Sequence, residues 1–322
     1  MGIRHKLEHQ ISVFNRQLGG AYATREQRGR NGRQFVSWYV DTLGRRLRRL
    51  ADVDPSTLPE YAAHLSKRMT PGSIQTSIGN VRSLLRAAGV DLTGYDTSRA
   101  LGVPERNRDG TKLPFPDERF DELLVRAYEM DPGMYHSIKM QRLLGLRGLE
   151  ALMSGPSIER WIDEIQYLHS VHVTSGTKGG RPRFTDILHG RATETQVALR
   201  EAMEYLQHNK HLIQGKGGDL ESARNRYHAL ARKLDMTGEF APHSLRYAWA
   251  CEKARELIDL GLGRREILSF LSTCLGHGES RGRWIKQVYI AGVVHLLPRP
   301  TRLARRLYKL LQKLDRVQTE ET

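Results

Sequence analysis

Residues 165–188 read Ile-Gln-Tyr-Leu-His-Ser-Val-His-Val-Thr-Ser-Gly-Thr-Lys-Gly-Gly-Arg-Pro-Arg-Phe-Thr-Asp-Ile-Leu. Ile165, Tyr167, His169, Val171 and Val173 alternate with other residues, the period of a half-buried strand. Ser175 to Gly180 supplies a turn, and Arg183 to Leu188 can return as a second strand. This is the one clear β signal in the chain. Elsewhere the apolar residues recur at helical spacing. The fold class is therefore mainly α (α+β), with a single small β-hairpin.

On either side of the hairpin the helical pattern is regular. Helices are expected at Glu194–Asn209, Leu220–Leu234, Ser244–Leu260 and Arg264–Cys274, and one opens with Asp117 as N-cap and carries Phe120, Leu123, Leu124 and Ala127. Leu303, Leu307, Leu310, Leu311 and Leu314 stripe a C-terminal helix that could close its own domain or dock on another copy. Towards the N-terminus, Leu7, Ile11, Phe14 and Leu18 mark a helix, followed by a basic, Gly-rich break at Arg28-Gly29-Arg30-Asn31-Gly32-Arg33. Phe35, Trp38, Tyr39, Leu43, Leu47 and Leu50 form a further stripe. Thr57 with Glu60 reads as a capping box, and Thr70-Pro71 starts a helix that Gly89 can close. Asp96 to Pro116, rich in Gly, Pro and mixed charge, reads as a linker. The expected organisation is a helical domain over residues 1–100, a linker over 101–116 and a second, mostly helical domain over 117–322, in keeping with a chain of 322 residues.

Hydrophobic residues make up 39% and charged residues 27%, the balance of a globular and not a disordered chain. The net charge is +15, which draws a protein to a polyanion through counterion release. Membrane binding is the weaker reading. No apolar run nears bilayer length, Met1 to Lys6 lacks a signal-peptide core, and Lys6 stands where myristoylation wants Ser or Thr. The two cysteines, Cys251 and Cys274, are far apart and suit buried positions in a reducing cytoplasm. His208 and His211 have no further ligand at metal spacing and read as an exposed helix end.

Five groups stand out in the second domain. Arg147 lies in an apolar stretch, Leu143-Leu144-Gly145-Leu146-Arg147-Gly148-Leu149-Glu150, where an arginine needs a partner. Glu150, three residues on, can supply it as a plain salt bridge and as the orienter of a guanidinium at a pocket wall, two readings that can hold together. Lys178 sits at the hairpin tip between glycines, as a solvated turn lysine or as a donor reaching into a groove. His243 and Arg246 share a helix face as His-x-x-Arg, a pair that is common by chance but suits proton exchange and phosphate binding. His277, in Leu275-Gly276-His277-Gly278, fits a helix end and could cap it or bind phosphate. Tyr289, on an expected helix, is either a core tyrosine or a phenol aimed at the cationic groups.

Taken in order, Gly-Leu-Arg147-x-x-Glu150, Lys178 in a β-turn, His243-x-x-Arg246, Leu-Gly-His277 and Tyr289 resemble the tyrosine recombinase (phage integrase) family. The likeness extends over residues 30 to 295, with the first domain similar to the family's core-binding domain. The gap from His277 to Tyr289 is longer than the family pattern and contains Arg281-Gly282-Arg283. Tyr308 is the other late tyrosine, but it lies beyond the Pro298-Arg299-Pro300 break. The resemblance implies a site-specific recombinase that cleaves and rejoins double-stranded DNA through a 3′-phosphotyrosyl link. Tyr289 would be the nucleophile, Arg147 and Arg246 the phosphate clamp, Lys178 the acid for the leaving 5′ oxygen, His243 the proton carrier and His277 a further phosphate donor. It also implies no cofactor or metal, a C-shaped clamp of the two domains, and a homo-tetramer acting on two DNA sites. The alternatives are a type IB topoisomerase-like or hairpin-forming relative, and a DNA-binding protein of the same fold without chemistry.

Overall fold

The basic run Arg28–Arg33 is helical in spite of its glycines. In the computed structural model, which describes residues 3–106 and 113–299, α1 (Ile3–Gln17) is followed by α2 (Tyr22–Ser37), and the expected break lies inside α2. The cause is packing. A Cβ at Gly32 would stand 2.6 Å from the Leu84 side chain, so the missing side chain lets α2 lie close to α4 (Pro71–Ala87). Arg28 is buried, donating to the carbonyl and side-chain oxygens of Asn15 and to the carbonyl of Gly19. A π-turn over Trp38–Thr42 ends α2, so Leu47 reaches the core from irregular chain and Leu50 from a separate 3-10 turn (Leu50–Asp52), not from one helical stripe. α3 (Leu58–Ser66) begins without the expected Thr57–Glu60 box. Thr57 Oγ1 donates to the Asp54 carbonyl, while Asp54 Oδ1 accepts from Ser56 N, so the short Asp side chain one turn earlier orders this entrance.

The chain divides into two compact units, residues 1–108 and 109–322. Within the first, Leu7, Ile11, Phe35, Tyr61, Ile78 and Leu84 belong to one apolar core. Leu101 and Val103, read from sequence as linker, are buried in that core, and Phe115 is buried in a core of the second unit.

The second unit runs α5 (Asp117–Met130), α6 (Pro132–Leu144), α7 (Gly148–Leu152), α8 (Ile158–Leu168), β1 (Ser170–Val173), β2 (Arg183–Asp186), α9 (Ala192–His208), α10 (Leu220–Lys233), α11 (His243–Asp259) and α12 (Arg264–Cys274). The apolar helix α6 packs against α5, α9 and α11. Asp117 is the first residue of α5 and not its cap; its carboxylate accepts from Arg142 at 2.8 Å. The alternation at Ile165–His169 loses to helical spacing. Ile158, Trp161 and Ile165 bury one face of α8, and His169, in the left-handed region at φ 51°, ends the helix and starts the strand. The hairpin is antiparallel, with Val171 opposite Thr185 and Val173 opposite Arg183. β2 ends at Asp186, not Leu188, where Lys253 takes over: its Nζ donates to the Ile187 carbonyl at 2.6 Å and meets Asp186 at 2.8 Å.

The Leu303–Leu314 stripe and Tyr308 lie outside the described residues. Among those described, no helix is long and apolar enough to cross a membrane and no cluster of metal-ligating side chains forms. Cys251 and Cys274 are free and buried, and burial pushes both thiols up to about 11.

Candidate active site

Three chain reversals build the site. The first ends α6. Gly145 takes the left-handed conformation at φ 59°, and a Cβ there would stand 2.6 Å from the Trp249 ring, so only glycine fits. The chain leaves this turn extended, and Arg147 becomes the residue before α7. Glu150 closes the helix start: Arg147 N donates to its Oε2 at 2.7 Å and Arg147 Nη1 to its Oε1 at 2.6 Å. The salt bridge and the oriented guanidinium read from sequence are thus one interaction. The side chain of Arg147 keeps 17% exposure while that of Glu150 has none, so only the arginine has a solvent-facing edge.

The second reversal ends α12. Gly276 N donates to the Thr273 carbonyl and His277 N to the Ser272 carbonyl, both at 2.8 Å, with Gly276 at φ 64°. This is a Schellman turn with glycine at its left-handed position. It leaves the carbonyls of Cys274 and Leu275 for side chains. Leu275 O accepts from Arg147 Nη2 at 2.9 Å and also from Arg246 Nη2. Two guanidiniums far apart in the sequence therefore converge on one oxygen. Arg246, fully buried on α11, also donates through Nη1 to the Gly145 carbonyl and lies 3.6 Å from Glu150 Oε2. Burial and the guanidiniums of Arg183 and Arg147 press Arg246 below the ordinary arginine range, yet it remains cationic at neutral pH.

The third reversal carries the tyrosine. After a single helical turn at Gly282–Trp284 the chain widens into a π-turn over Ile285–Tyr289. Tyr289 is 4% exposed, with Tyr247 edge-on at 4.9 Å and the Arg246 guanidinium 5.7 Å from its ring centre. Its Oη lies 3.2 Å from His243 Nε2 and 3.0 Å from His277 Nε2, and both imidazoles are half-buried. A phenol carries one proton, so one imidazole accepts from it while the other donates to it. Burial, and then the charges of Arg246, Arg147, Lys178 and Arg183, push His277 down to about 4, so it is neutral at pH 7.

The structure thus brings Arg147, Glu150, His243, Arg246, His277 and Tyr289 together. Lys178 lies exposed at the hairpin tip, near enough for its charge to act on His277. Two further residues were not singled out from sequence. Tyr247 packs on Tyr289. Arg183, the first residue of β2, places a fork on Glu150: Nη1 to Oε1 at 2.6 Å and Nη2 to Oε2 at 2.8 Å. Its signal was available, because Arg183 alternates with Thr185 and Ile187 on the inward side of the strand, where a charge needs a partner. Burial raises the Glu150 carboxyl, but the Arg183 hydrogen bonds and the charges of Arg183, Arg246 and Arg147 outweigh it and hold the group at about 2. Three guanidiniums around one carboxylate leave an excess of positive charge, the setting for a polyanionic ligand.

Residues 102–252 match the family model described as integrase. That stretch includes Arg147, Glu150, Lys178, His243 and Arg246 and ends before His277 and Tyr289. The fold is similar to that of the Tn1549 transposon integrase, solved in complex with transposon right end DNA, at 14% identity and a TM-score of 0.53, covering 92% of this chain and 98% of that one. It is also similar to the XerH site-specific recombinase, solved bound to a palindromic difH substrate as a post-cleavage complex, at 14% identity and a TM-score of 0.51, covering 84% of this chain and 78% of that one. A comparison with curated protein sequences returns no match.

Proposed function

We propose that the chain is a tyrosine-type site-specific DNA recombinase of the integrase family, with Tyr289 as its nucleophile and the surrounding cations as its phosphate clamp. The observation that carries this assignment is the Tyr289 hydroxyl placed between two imidazoles, on the ring that the Arg246 guanidinium approaches.

Tyr289 Oη attacks the phosphorus of one DNA strand as its proton passes to His243. The P–O5′ bond breaks and Lys178 protonates the departing oxygen. The product is a 3′-phosphotyrosyl link and a free 5′ hydroxyl. Attack by a 5′ hydroxyl from another strand then reverses the step, so the bond energy is retained throughout. Neutral His277 donates to the phenol oxygen as charge develops and passes that bond to the phosphate afterwards. Arg147 and Arg246, which already share one oxygen acceptor in Leu275, take up the nonbridging oxygens, with the carbonyl yielding its place to phosphate. The placement of Tyr289 on its own subunit's histidines supports cleavage in cis. The net charge of +15 supports the affinity for duplex DNA, with Lys and Arg on phosphates and base contacts setting the site. The assembly is a homo-tetramer on two sites, and the two free, buried cysteines fit work in the cytoplasm.

The test uses a nicked duplex carrying the site that the full chain selects from a random library. A covalent adduct is expected with the wild type and none with Tyr289→Phe. Adduct from Tyr289→Phe would move the nucleophile elsewhere, and no adduct from the wild type would favour a DNA-binding protein without chemistry. Strand exchange between two sites, and not relaxation of supercoils alone, separates a recombinase from a topoisomerase.

A further inference from the structure

Arg183 has no part in the mechanism above, yet it is among the most firmly held side chains near the site. Its side chain is 4% exposed. Nη1 and Nη2 form a fork on Glu150, and Nε donates to the Cys274 carbonyl at 2.7 Å. Every guanidinium nitrogen is therefore already committed to a protein acceptor, so Arg183 is not placed to bind phosphate. What it joins is informative. Glu150 sits at the head of α7 and orients Arg147. Cys274 ends α12, three residues before His277. Arg183 itself opens β2, five residues after Lys178. One side chain thus ties together the three segments that carry Arg147, His277 and Lys178. The turn is fitted to it as well: a Cβ at Gly276 would stand 2.9 Å from Arg183 Cδ.

We propose that Arg183 is a positioning residue that anchors the hairpin and thereby places Lys178 against the leaving 5′ oxygen. The inference rests on the function proposed above. Removing Arg183 leaves Arg147 with its own two bonds to Glu150, from Nη1 and from the backbone. The hairpin, in contrast, loses the side-chain hydrogen bonds that join it to α7 and α12 together. The loss therefore falls on proton donation more than on phosphate clamping.

A sulfur leaving group isolates that step. When the 5′ bridging oxygen at the cleavage position is replaced by sulfur, the P–S bond breaks to a thiolate that needs no proton. The full chain and its Arg183→Ala variant are compared on oxygen- and sulfur-bridged versions of the selected nicked duplex, with Lys178→Ala as the benchmark. Cleavage of the oxygen substrate is expected to fall about 100-fold or more in Arg183→Ala, the range of a lost general acid, while the sulfur substrate falls less than about tenfold. Arg183→Lys keeps the charge but cannot fork, so it should show the same selective loss, and it carries the test should the alanine variant fail to fold. Equal losses on both substrates in a folded variant, or no loss on either, overturn the proposal. If the wild type cleaves neither substrate, the proposed function itself fails and the role of Arg183 falls with it.

Discussion

Replacing Glu150 by glutamine preserves shape and removes the one negative charge among three guanidiniums. The carboxylate accepts from Arg147 N and Nη1 and from Arg183 Nη1 and Nη2, at 2.6 to 2.8 Å. An amide offers one acceptor oxygen and points an NH₂ at donors that already face it. The size of the effect follows from the carboxyl's own affinity for protons, which moves from an ordinary 4.5 to about 2. At about 1.36 kcal/mol for each tenfold change, the difference is worth about 3 kcal/mol of folding stability. Because the folded-state value is depressed, this stabilisation is complete above pH 4.5 and drains away as pH falls through 2. The assay is urea unfolding of the full chain in a Trp38→Phe background. That background leaves Trp161, Trp249 and Trp284, all in the second unit, to report by fluorescence. Glu150→Gln is expected to lose about 3 kcal/mol at pH 7, within the range for a broken buried pair, and the gap to wild type should narrow steadily below pH 4.5. A variant within roughly 1 kcal/mol of wild type at pH 7, or a gap of constant size down to about pH 3, would show that the Glu150 carboxylate does not hold these guanidiniums together.

Other consequences can be measured as directly. Arg147→Ala should slow adduct formation by about 10²–10³ while leaving the Arg183–Glu150 fork and the melting temperature nearly intact, as for one lost oxyanion donor; a large drop in melting temperature would make Arg147 structural. Gly145→Ala forces a side chain into the Trp249 ring at a positive φ and should cost about 2 kcal/mol or more in thermal denaturation. Gly190→Ala, where an added Cβ meets nothing within 4 Å, should be nearly silent; equal effects at the two positions would contradict the packing. Binding to a nonspecific duplex should weaken at least about tenfold between roughly 50 and 200 mM salt, since Lys and Arg on phosphates release counterions; salt-insensitive binding would remove the electrostatic basis for a DNA partner.

Residues far apart in sequence were legible where local chemistry constrains them. α12 spans Arg264–Cys274 as its stripe and Gly276 foretold, and α9, α10 and α11 differ from expectation only at their ends. The Arg147–Glu150 contact followed from an arginine in apolar surroundings with a carboxylate one turn on. What misled was local pattern overridden by tertiary packing. Ile165 fits a strand and a helix equally, and the burial of Ile158 and Trp161 beside it decides for the helix. Gly29 and Gly32 resemble a break until Asn15 of α1 and Leu84 of α4 are seen to occupy the space they leave. Arg183 shares the inward side of its strand with Thr185 and Ile187, which calls for a partner, but only the fold shows that the partner is Glu150.

The end of α12 has a consequence beyond geometry. A helix gathers roughly half an electron's worth of negative charge at its C-terminus, and here that terminus points the Cys274 and Leu275 carbonyls at Arg183, Arg147 and Arg246. The peptide dipoles thus act as a partial counterion that keeps like charges assembled before any nucleic acid arrives. They offset only part of the excess, so the pull on an anion persists. It follows that unravelling the last turn of this helix would alter the grip on a phosphate without touching a single basic side chain.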